Sequence, residues 1–535
     1  MEPGGAARAP LWREHGMKKP GPLSRELAGA ALGDPRRSRR LVQVAGAMAQ
    51  APERSVSGAC GGWKETVAAY RLLAAPQVTP EKILAPHRRA LLERAAGERC
   101  VALIQDTTEL DFTAMQHMAG TGALNDDSRR GLYLHSLYAV SENGLPLGIW
   151  DLNFLAREGK KERAAAGSRK QRPLEEKESY RWLEGYQKTQ ALAAALPDCE
   201  VISLADREGD LYAVFAAWAE QYARGGPVAQ WLIRAQQDRA LEGMEEGSPD
   251  KLFAALAAGP KLGEIHFAMP GAVQLRKAKN GSRVRTERSA RTVTQEVRAM
   301  PVTPRAPYRK GGALPTVTVW ALWASEINPP EGEEPIRWLL LTSVPVTTFA
   351  QAQRLLALYL RRWDIEVFHR VLKTGCRVER MQLKGTGAVR NALTLYAIIA
   401  WRLLYLTHVG RISPQAPCST VFSEAEWKAA CAVARAKRAR SRRCATRRNP
   451  LSVHLSSWWR ALAATSDARE TARPARRHSG RDSRACATSP APGRRRTALE
   501  NSGRLLRKPS CPIRNHAPRA GGPRRHHRQG RPPPA

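Results

Sequence analysis

The sequence predicts an α/β fold that is preceded by a small helical module, interrupted by a mostly β insertion and followed by a basic tail. Two apolar runs of strand character, VALIQD and CEVISLA, are separated by a hairpin signal and a helical segment. A further helical segment, DLYAVFAAWAEQY, follows the second run. Strands that alternate with helices are typical of α/β folds, in which loops at strand ends often carry the chemistry.

The N-terminal module is predicted to be helical over residues 23–95, after a loose Gly- and Pro-rich stretch at residues 1–22. Asp34 followed by Pro35 is a favourable helix start, because the carboxylate caps free N–H groups and proline suits the first turn. WKETVAAYRLL predicts a second helix, and a third is expected to begin at Thr79.

Arginines crowd the first turns of the helix that follows Asp34, and Arg36 and Arg37 are the first two. The helix dipole favours acidic side chains at this end, so a purely structural role would place these arginines poorly. Contact with phosphate groups would place them well. The alternative is a basic cap on a larger domain.

Residues 98–226 are predicted to form the first part of the α/β core. Asp106 ends the first apolar run and Asp206 follows the second, so both acids are expected at strand ends. Between them, Asn143-Gly144 is a strong hairpin signal flanked by two strand-like runs. A strand-terminal aspartate is often only a turn former, so each acid alone is weak evidence for a site.

A helix is expected from Leu174 to Leu196. Residues 227–350 then contain short β-branched or aromatic runs around the basic stretch KAKNGSRVRTERSAR, which predicts a β insertion with a basic loop. Arg234, on the first strand of this insertion, is a candidate phosphate contact by its position. Residues 351–431 are predicted to complete the core with two helices.

The first of these helices, over Tyr359–Lys373, carries a notable set of polar side chains. The stretch lacks Pro and Gly, and its apolar residues recur at helical spacing. On one continuous helix at 100° per residue, four polar side chains fall within a narrow arc: Tyr359, Arg362, Glu366 and Lys373. The alternative is a solvated charged face held by pairs one turn apart.

Together, Asp106, Asp206 and Glu366 suit two Mg²⁺ ions, for which Mn²⁺ is a possible substitute. Mg²⁺ favours a few carboxylates and can activate water or a 3′-hydroxyl for attack on a phosphodiester. A two-carboxylate glycosidase is the competing use of paired acids. The surplus of Arg and Lys argues against a neutral sugar substrate.

Charge and cysteine usage narrow the class of protein. The chain of 535 residues carries a formal net charge of +37, of which residues 1–432 contribute +14. This balance indicates a polyanionic partner, with DNA the leading candidate. The nine cysteines include no C-x-x-C pair, which favours a reducing, cytoplasmic setting. We expect no membrane span and no signal peptide.

Three motifs resemble a known family. QDTTELDF around Asp106, ADREGD around Asp206 and Y-x₂-R-x₃-E-x₆-K around Glu366 are similar to the DDE signatures of insertion-sequence transposases. More narrowly, they resemble the YREK-motif group within the insertion-sequence-four family, which includes the transposase of transposon five. EINPPEGEEPIRWLLLTS and ELAGAALGDPRRSRRL are also similar to stretches of that group. The resemblance runs from about Glu26 to Lys428.

The resemblance implies a ribonuclease-H-like catalytic core and an N-terminal domain that grips the transposon end. It implies that Asp106, Asp206 and Glu366 bind the metal ions. It also implies that the element is released through a DNA hairpin. Phosphates and bases beside the cut would then be held by Tyr359, Arg362 and Lys373, and an extruded base would stack on Trp338. Two further residues, Tyr70 and Arg71, lie where the family's end-binding module meets DNA.

The resemblance ends soon after Lys428, and residues 432–535 are an Arg/Pro/Ala-rich tail for which we expect disorder. The family continues here with a helix that pairs two protomers, so the homodimer expected for the family is doubtful for this chain. Read in a shifted frame, His478–Ser483 allows Leu-Trp-x-(Gly or Arg)-Leu, which resembles the family's Leu-Trp-x-Gly-Leu. A frameshift is therefore one hypothesis, and a native basic nucleic-acid-binding tail is the other.

Three functions follow as hypotheses from these features. The first is a DNA transposase that cuts and joins insertion-sequence ends. The second is a non-catalytic protein that occupies transposon ends and inhibits an active copy. The third is a ribonuclease-H-like nuclease without preference for terminal repeats.

Overall fold

The computed structural model describes residues 23–115, 118–126, 128–157, 173–244, 247–277, 283–288, 290–307 and 314–412, together with positions 428 and 432. Most of them form one compact unit, and a smaller second unit contains residues 265–295 and 326–336. The expected loose N-terminus and the predicted tail after 432 lie outside the described residues.

The described α-helices are, in chain order, α1 Leu23–Glu26, α2 Pro35–Gln50, α3 Val56–Ala59, α4 Trp63–Ala74, α5 Pro80–Ala95, α6 Tyr180–Ala195, α7 Tyr212–Arg224, α8 Leu252–Ala258, α9 Phe349–Leu360, α10 Trp363–Arg370 and α11 Thr386–Ile412. The described strands are β1 Cys100–Asp111, β2 Gly122–Ala123, β3 Arg130–Ser141, β4 Pro146–Leu155, β5 Glu200–Ala205, β6 Gln230–Arg234, β7 Lys261–Met269, β8 Ala272–Lys277, β9 Arg283–Arg288, β10 Arg291–Val302, β11 Val319–Glu326 and β12 Arg337–Thr342.

The large sheet has the order β2-β3-β1-β5-β6-β12-β11-β10-β7, with β4 paired to β3. At its centre β1, β5 and β6 are parallel, while β3 and β12 flank them in antiparallel orientation. The first six residues of β1 and the last five of β5 are buried, as the apolar runs predicted. The predicted α/β class is confirmed at this level.

Local sequence signals account for most element boundaries. The Asp34 side chain accepts a hydrogen bond from the Arg36 N–H, and Pro35 is the first residue of α2, as predicted. The Thr79 side chain caps α5 in the same way. Gly144 has a φ of +83° in the predicted β3–β4 hairpin, a conformation that costs glycine little.

Helices cover both faces of the sheet at β1. On one face, α6 brings Gly185 so close to Gln105 that an added Cβ would lie 2.2 Å from the Gln105 Oε1. On the other face, α10 stacks Phe368 on Tyr138 of β3, with 4.8 Å between ring centroids. Because successive residues of a strand point to opposite faces, the side chains along β1 and β3 are divided between these two helices.

A buried polar cluster ties the N-terminal helices to β4. The Glu26 carboxylate accepts hydrogen bonds from both terminal nitrogens of Arg94, at 2.9 and 3.0 Å. His87 Nδ1 lies 2.6 Å from Glu26 Oε1, and His87 Nε2 accepts a hydrogen bond from the Ile149 N–H. The cluster therefore holds a neutral imidazole with its proton on Nδ1.

Helix α11 is long and apolar enough to cross a membrane by length and composition, and 78% of its most apolar window is buried inside the protein. It packs against α2, α4, α5 and β4. These contacts make it a central core helix of the larger unit, and its buried face accounts for its apolar composition.

The second unit contains the β8–β9 hairpin, in which Ala272 pairs with Arg288 and Lys277 with Arg283. Arg291 forms an ion pair with Glu326 at 3.0 Å and a hydrogen bond to Glu333. The stretch predicted as a basic loop is therefore strand over residues 283–288, and residues 278–282 and 289 lie outside the described part.

Three predictions of secondary structure were wrong. Asp106 lies in the middle of β1, because β3 continues to pair with the strand as far as Asp111. The helix predicted from Leu174 begins only at Tyr180, after a separate 3₁₀ turn over Leu174–Glu176. The helix predicted over Tyr359–Lys373 is interrupted at Arg361 and Arg362 and ends in a π-helical turn, Val371–Gly375.

β6 and β12, both predicted within the insertion, pair with each other, and β6 also pairs with β5. Both strands are therefore part of the central sheet. The predicted domain boundaries remain predictions.

Candidate functional site

Asp106 and Asp206 lie level with each other on neighbouring parallel strands. β1 and β5 pair with Ile104 opposite Leu204, and continuing this register by two residues aligns the two aspartates. Asp206 directly follows β5 and accepts a hydrogen bond from the Glu208 N–H at 2.8 Å. The Asp106 Oδ1 accepts a hydrogen bond from the Thr107 N–H at 2.7 Å. The two acids predicted from sequence are thus neighbours in the fold.

The two aspartates share one electrostatic environment with α10. Burial and the negative charges of Asp206 and Glu366 together raise the pKa of Asp106 to about 7, against the opposing charge of Arg362. Burial also raises the pKa of Asp206, against the effect of the Glu208 N–H and the positive charge of Arg362. The structure therefore brings all three predicted acids and Arg362 within electrostatic range.

Glu366 lies on α10 and is held by Arg362 one turn earlier. The Arg362 Nη2 donates to the Glu366 Oε1 at 2.8 Å, and the guanidinium lies 4.4 Å from the ring centre of Trp363. Only 9% of the Arg362 side chain is exposed, compared with 42% of the Glu366 side chain. Arg362 is thus the buried member of the pair, and the Glu366 carboxylate is the member exposed to solvent.

An aromatic cluster adjoins this pair. Trp338, which is half-buried, stacks on Trp363 with 6.0 Å between centroids and meets Tyr359 edge-on at 5.7 Å. Tyr359 is 1% exposed, and its hydroxyl is buried without a hydrogen-bond partner among the described residues. Burial raises the Tyr359 pKa, and the charges of Arg362 and Arg234 lower it. Arg234 is therefore within electrostatic range of Tyr359, and its role as a phosphate contact stays a prediction.

The four polar side chains predicted on one helical face do not share an open face, because Tyr359 and Arg362 are buried and the helix turns π-helical before Lys373. Lys373 lies in the π-helical turn, where its Nζ donates to the Glu109 carbonyl at 2.8 Å. It also forms an ion pair with Glu379 at 3.4 Å. Its ammonium is therefore bound to the chain itself, beyond Asp106 along β1.

A second candidate site is a basic groove between α2 and α4. The groove has a cavity volume of about 540 Å³, and its lining includes five basic side chains and one tryptophan: Arg36, Arg37, Arg40, Lys64, Arg71 and Trp63. Trp63 is 80% exposed. Two arginines predicted at the start of the first helix thus share a groove with Arg71. Tyr70 is half-buried and does not line it.

Sequence reasoning missed Trp63 and Lys64 in the groove, although their position at the start of a predicted helix was a usable signal. It also missed Arg181 of α6, which donates to the Thr107 Oγ1 at 2.9 Å and forms an ion pair with Glu208 at 2.8 Å. Nothing local in the sequence around Arg181 indicates this contact.

His135 is buried on β3 and lies 2.9 Å from the Thr107 Oγ1 and 3.3 Å from the Gln105 Oε1, so it is a hydrogen-bonded core residue.

The acidic site fits a divalent cation by its donor chemistry. Asp106 and Asp206 are aligned carboxylates that oppose each other's ionisation, and a cation between them would relieve that repulsion. No three His, Cys, Asp or Glu side chains among the described residues are close enough together to form a ready-made metal site. Mg²⁺ often takes only one or two protein carboxylates and completes its shell with water and substrate phosphates. The residues present therefore fit Mg²⁺ together with substrate.

Comparison with known proteins gives two family matches. Residues 22–78 match the family model described as Transposase DNA-binding, and residues 222–402 match Transposase DDE domain. The two matches support a DDE transposase. The first covers the basic groove, and the second covers Glu366, Arg362 and the aromatic cluster. Asp106 and Asp206 lie outside both matched ranges.

The similar solved structures include a cryo-EM structure of the piggyBac transposase synaptic complex with hairpin DNA, at 10% sequence identity and a TM-score of 0.29. The match covers 63% of this chain and 52% of that chain, so it spans about half the length of the solved relative. The narrower resemblance to the YREK-motif group, and the roles of the individual site residues, remain predictions.

Proposed function

We propose that this chain is a DNA transposase that cleaves insertion-sequence ends and joins them to target DNA by two-metal phosphoryl transfer. The observation that carries the proposal is the alignment of Asp106 with Asp206 within electrostatic range of the Arg362–Glu366 pair. Carboxylates in such a cluster are the groups that hold divalent ions against a phosphodiester. The setting would be the bacterial cytoplasm, at the nucleoid.

In this proposal Asp106 and Asp206 hold Mg²⁺, and Glu366 joins them once Arg362 turns to a phosphate. Bound Mg²⁺ would supply an activated water or 3′-hydroxyl and neutralise charge that develops on the phosphate. The guanidinium of Arg362 has a fork of donors that matches phosphate oxygens as well as it matches a carboxylate. Arg362 would therefore exchange its partner when DNA enters.

The aromatic cluster supports a route through a DNA hairpin. Trp338 is half-buried beside Trp363 and Tyr359. A base that leaves the strained end of the duplex could stack on these rings, and such stacking is worth about 1–3 kcal/mol per base. The basic groove would meanwhile grip the double-stranded terminal repeat. Lys373, beyond Asp106, would contact the backbone next to the cut after leaving Glu379.

The proposal is tested with the full chain and with DNA that carries the inverted repeats from either side of its gene. We expect Mg²⁺-dependent nicking at the repeat boundary, and we expect Asp106→Ala to lose at least about 10³-fold in rate while it binds the DNA as before. Equal cleavage by the variant would overturn the assignment. Binding without any metal-dependent product would favour the inhibitor, and cleavage without repeat preference would favour the plain nuclease.

A further inference from the structure

Helix α10 has little intrinsic rigidity, because it contains only eight residues and is irregular at both ends. A turn at Arg361 and Arg362 separates it from α9, and the π-helical turn Val371–Gly375 follows it. An isolated helix of this length is not stable in water without tertiary contacts. Tertiary contacts, among them those with the sheet, must therefore determine the position of α10, and with it that of Glu366, relative to β1.

One buried hydrogen bond joins α10 to the strand next to Asp106. His369 lies three residues after Glu366 and is 5% exposed, and its Nε2 is 3.1 Å from the Ser136 Oγ. Ser136 is fully buried on β3. Burial lowers the pKa of His369 to about 3, so the imidazole is neutral at physiological pH.

Ser136 is directly opposite Asp106 in the antiparallel pairing of β1 with β3. Directly opposite residues point to the same face, with Cβ atoms about 5 Å apart. The hydrogen bond from α10 therefore ends beside the Asp106 side chain. Two strand positions further along the same face of β3, Tyr138 stacks on Phe368, which is a second contact with the same helix.

We infer that the His369–Ser136 hydrogen bond is a brace that sets the distance between Glu366 and Asp106 when the metal ions bind. The inference rests on the proposed function, in which those two carboxylates serve one site. Phe368–Tyr138 stacking tolerates sliding, because offset arrangements of two rings are close in energy. A hydrogen bond is more directional and fixes both the height and the rotation of α10. His369 and Ser136 are positioning residues in this scheme, since neither is a ligand.

The test compares Ser136→Ala with Ser141→Ala in the full chain. Ser141 is a matched control, because it is buried on the same strand and its Oγ accepts a hydrogen bond from the Leu145 N–H at the hairpin, away from α10. Mn²⁺ binding is followed by the loss of the free-ion EPR signal, which requires no catalysis. We expect Ser136→Ala to weaken Mn²⁺ binding about 10- to 100-fold, the usual effect of removing a group that orients ligands.

Ser141→Ala should bind Mn²⁺ as the unmodified chain does, and both variants should unfold at similar temperatures without metal. His369→Gln, which keeps a donor that can reach Ser136, should retain more affinity than His369→Leu. The double variant Ser136→Ala/His369→Leu should be no weaker than its weaker parent, because the two side chains act through one bond.

The possible failures are distinguishable. Suppose that the unmodified chain binds Mn²⁺ and cuts DNA. If Ser136→Ala then binds Mn²⁺ with full affinity, the brace is overturned and the proposed function is left intact. If Ser141→Ala weakens Mn²⁺ binding as much as Ser136→Ala does, the effect is a general loss of stability, and the brace is also overturned. An unmodified chain that neither binds Mn²⁺ nor cuts DNA overturns the proposed function, and the brace with it.

Discussion

The Arg362 guanidinium donates a hydrogen bond to the Glu366 carboxylate across one turn of helix, with 2.8 Å between Nη2 and Oε1. The positive charge of Arg362 also opposes the rise in the pKa values of Asp106 and Asp206 that burial causes. This buried arginine therefore offsets part of the cost of placing several acids close together inside the protein.

Arg362→Ala should therefore reduce DNA cleavage about 100-fold or more, because a phosphate partner and the counter-charge of the acids are lost together. Single-turnover cleavage at saturating Mg²⁺ measures the effect. Arg361→Ala is the neighbouring control, since the ion pair of Arg361 is with Asp364, at 3.9 Å. Comparable losses in both variants would show that the effect is not specific to Arg362.

Asp106→Asn should stabilise the chain at pH 8 in the absence of metal ions. The pKa of Asp106 is about 7 in the folded protein, whereas the ordinary pKa of an aspartate is 3.8. Between these two pH values the folded chain holds a proton that the unfolded chain releases, so the free energy of unfolding falls as pH rises from 3.8 to about 7. Removing it should recover about 2–4 kcal/mol, measured by urea denaturation.

Mg²⁺ should raise the melting temperature of the unmodified chain and raise that of Asp106→Asn less, since a ligand stabilises only the form that binds it. Asp198→Asn, at an exposed position, is the control. If Asp106→Asn is less stable than the unmodified chain at pH 8 without metal ions, the electrostatic argument is contradicted.

Glu26→Gln should destabilise the chain by about 3–5 kcal/mol at pH 7, because it leaves the buried Arg94 without a full counter-charge. Glu81→Gln is the control, because the Glu81 side chain is 68% exposed and its ion pair with Arg88 lies at the surface. Chemical denaturation of both variants measures the difference. Equal stability of the two would mean that the Glu26 cluster contributes little.

Acid should weaken the same cluster in two stages. Burial lowers the pKa of His87 below 6.5, so the unfolded chain binds a proton that the folded chain excludes, and stability falls as pH drops below 6.5. Against the effect of burial, the Arg94 charge and the His87 hydrogen bond lower the pKa of Glu26 to about 2. The stability that the ionised Glu26 contributes is therefore lost as pH falls from about 4.5 towards 2. Glu26→Gln should abolish the second stage, which a pH series of denaturation curves would reveal.

In the basic groove, Arg71→Ala and Trp63→Ala should differ in their response to salt. Loss of a phosphate contact should reduce the slope of log affinity against log salt by about 0.9, whereas loss of an aromatic contact should lower affinity and leave the slope unchanged. Fluorescence anisotropy with labelled repeat DNA measures both. Arg224→Ala, at an exposed position on α7, should change neither quantity. Flat salt dependence in the unmodified chain would exclude the groove as an electrostatic binding surface.

The sequence predicted the strands that bring Asp106 and Asp206 together, because long apolar runs, a hairpin signal and helix caps are local patterns. It did not predict that β1 extends past Asp106, since that extension depends on pairing with β3. It also treated Tyr359 to Lys373 as one helix, and so assigned all four polar side chains to one open face. Burial of Tyr359 and the tether of Lys373 to Glu109 arise from tertiary contacts that no local spacing encodes.

Helix α11 has a consequence for how this chain can be divided. Its Asn391 side chain donates to the carbonyls of Leu73 and Val78 in the N-terminal module, and its Trp401 donates to the carbonyl of Pro146 at the start of β4. An expressed fragment that ends near residue 95 would lack these donors and would expose the apolar surface that α11 covers. The N-terminal module should therefore fail as a separate recombinant domain, and gentle protease treatment should not release it as an intact piece.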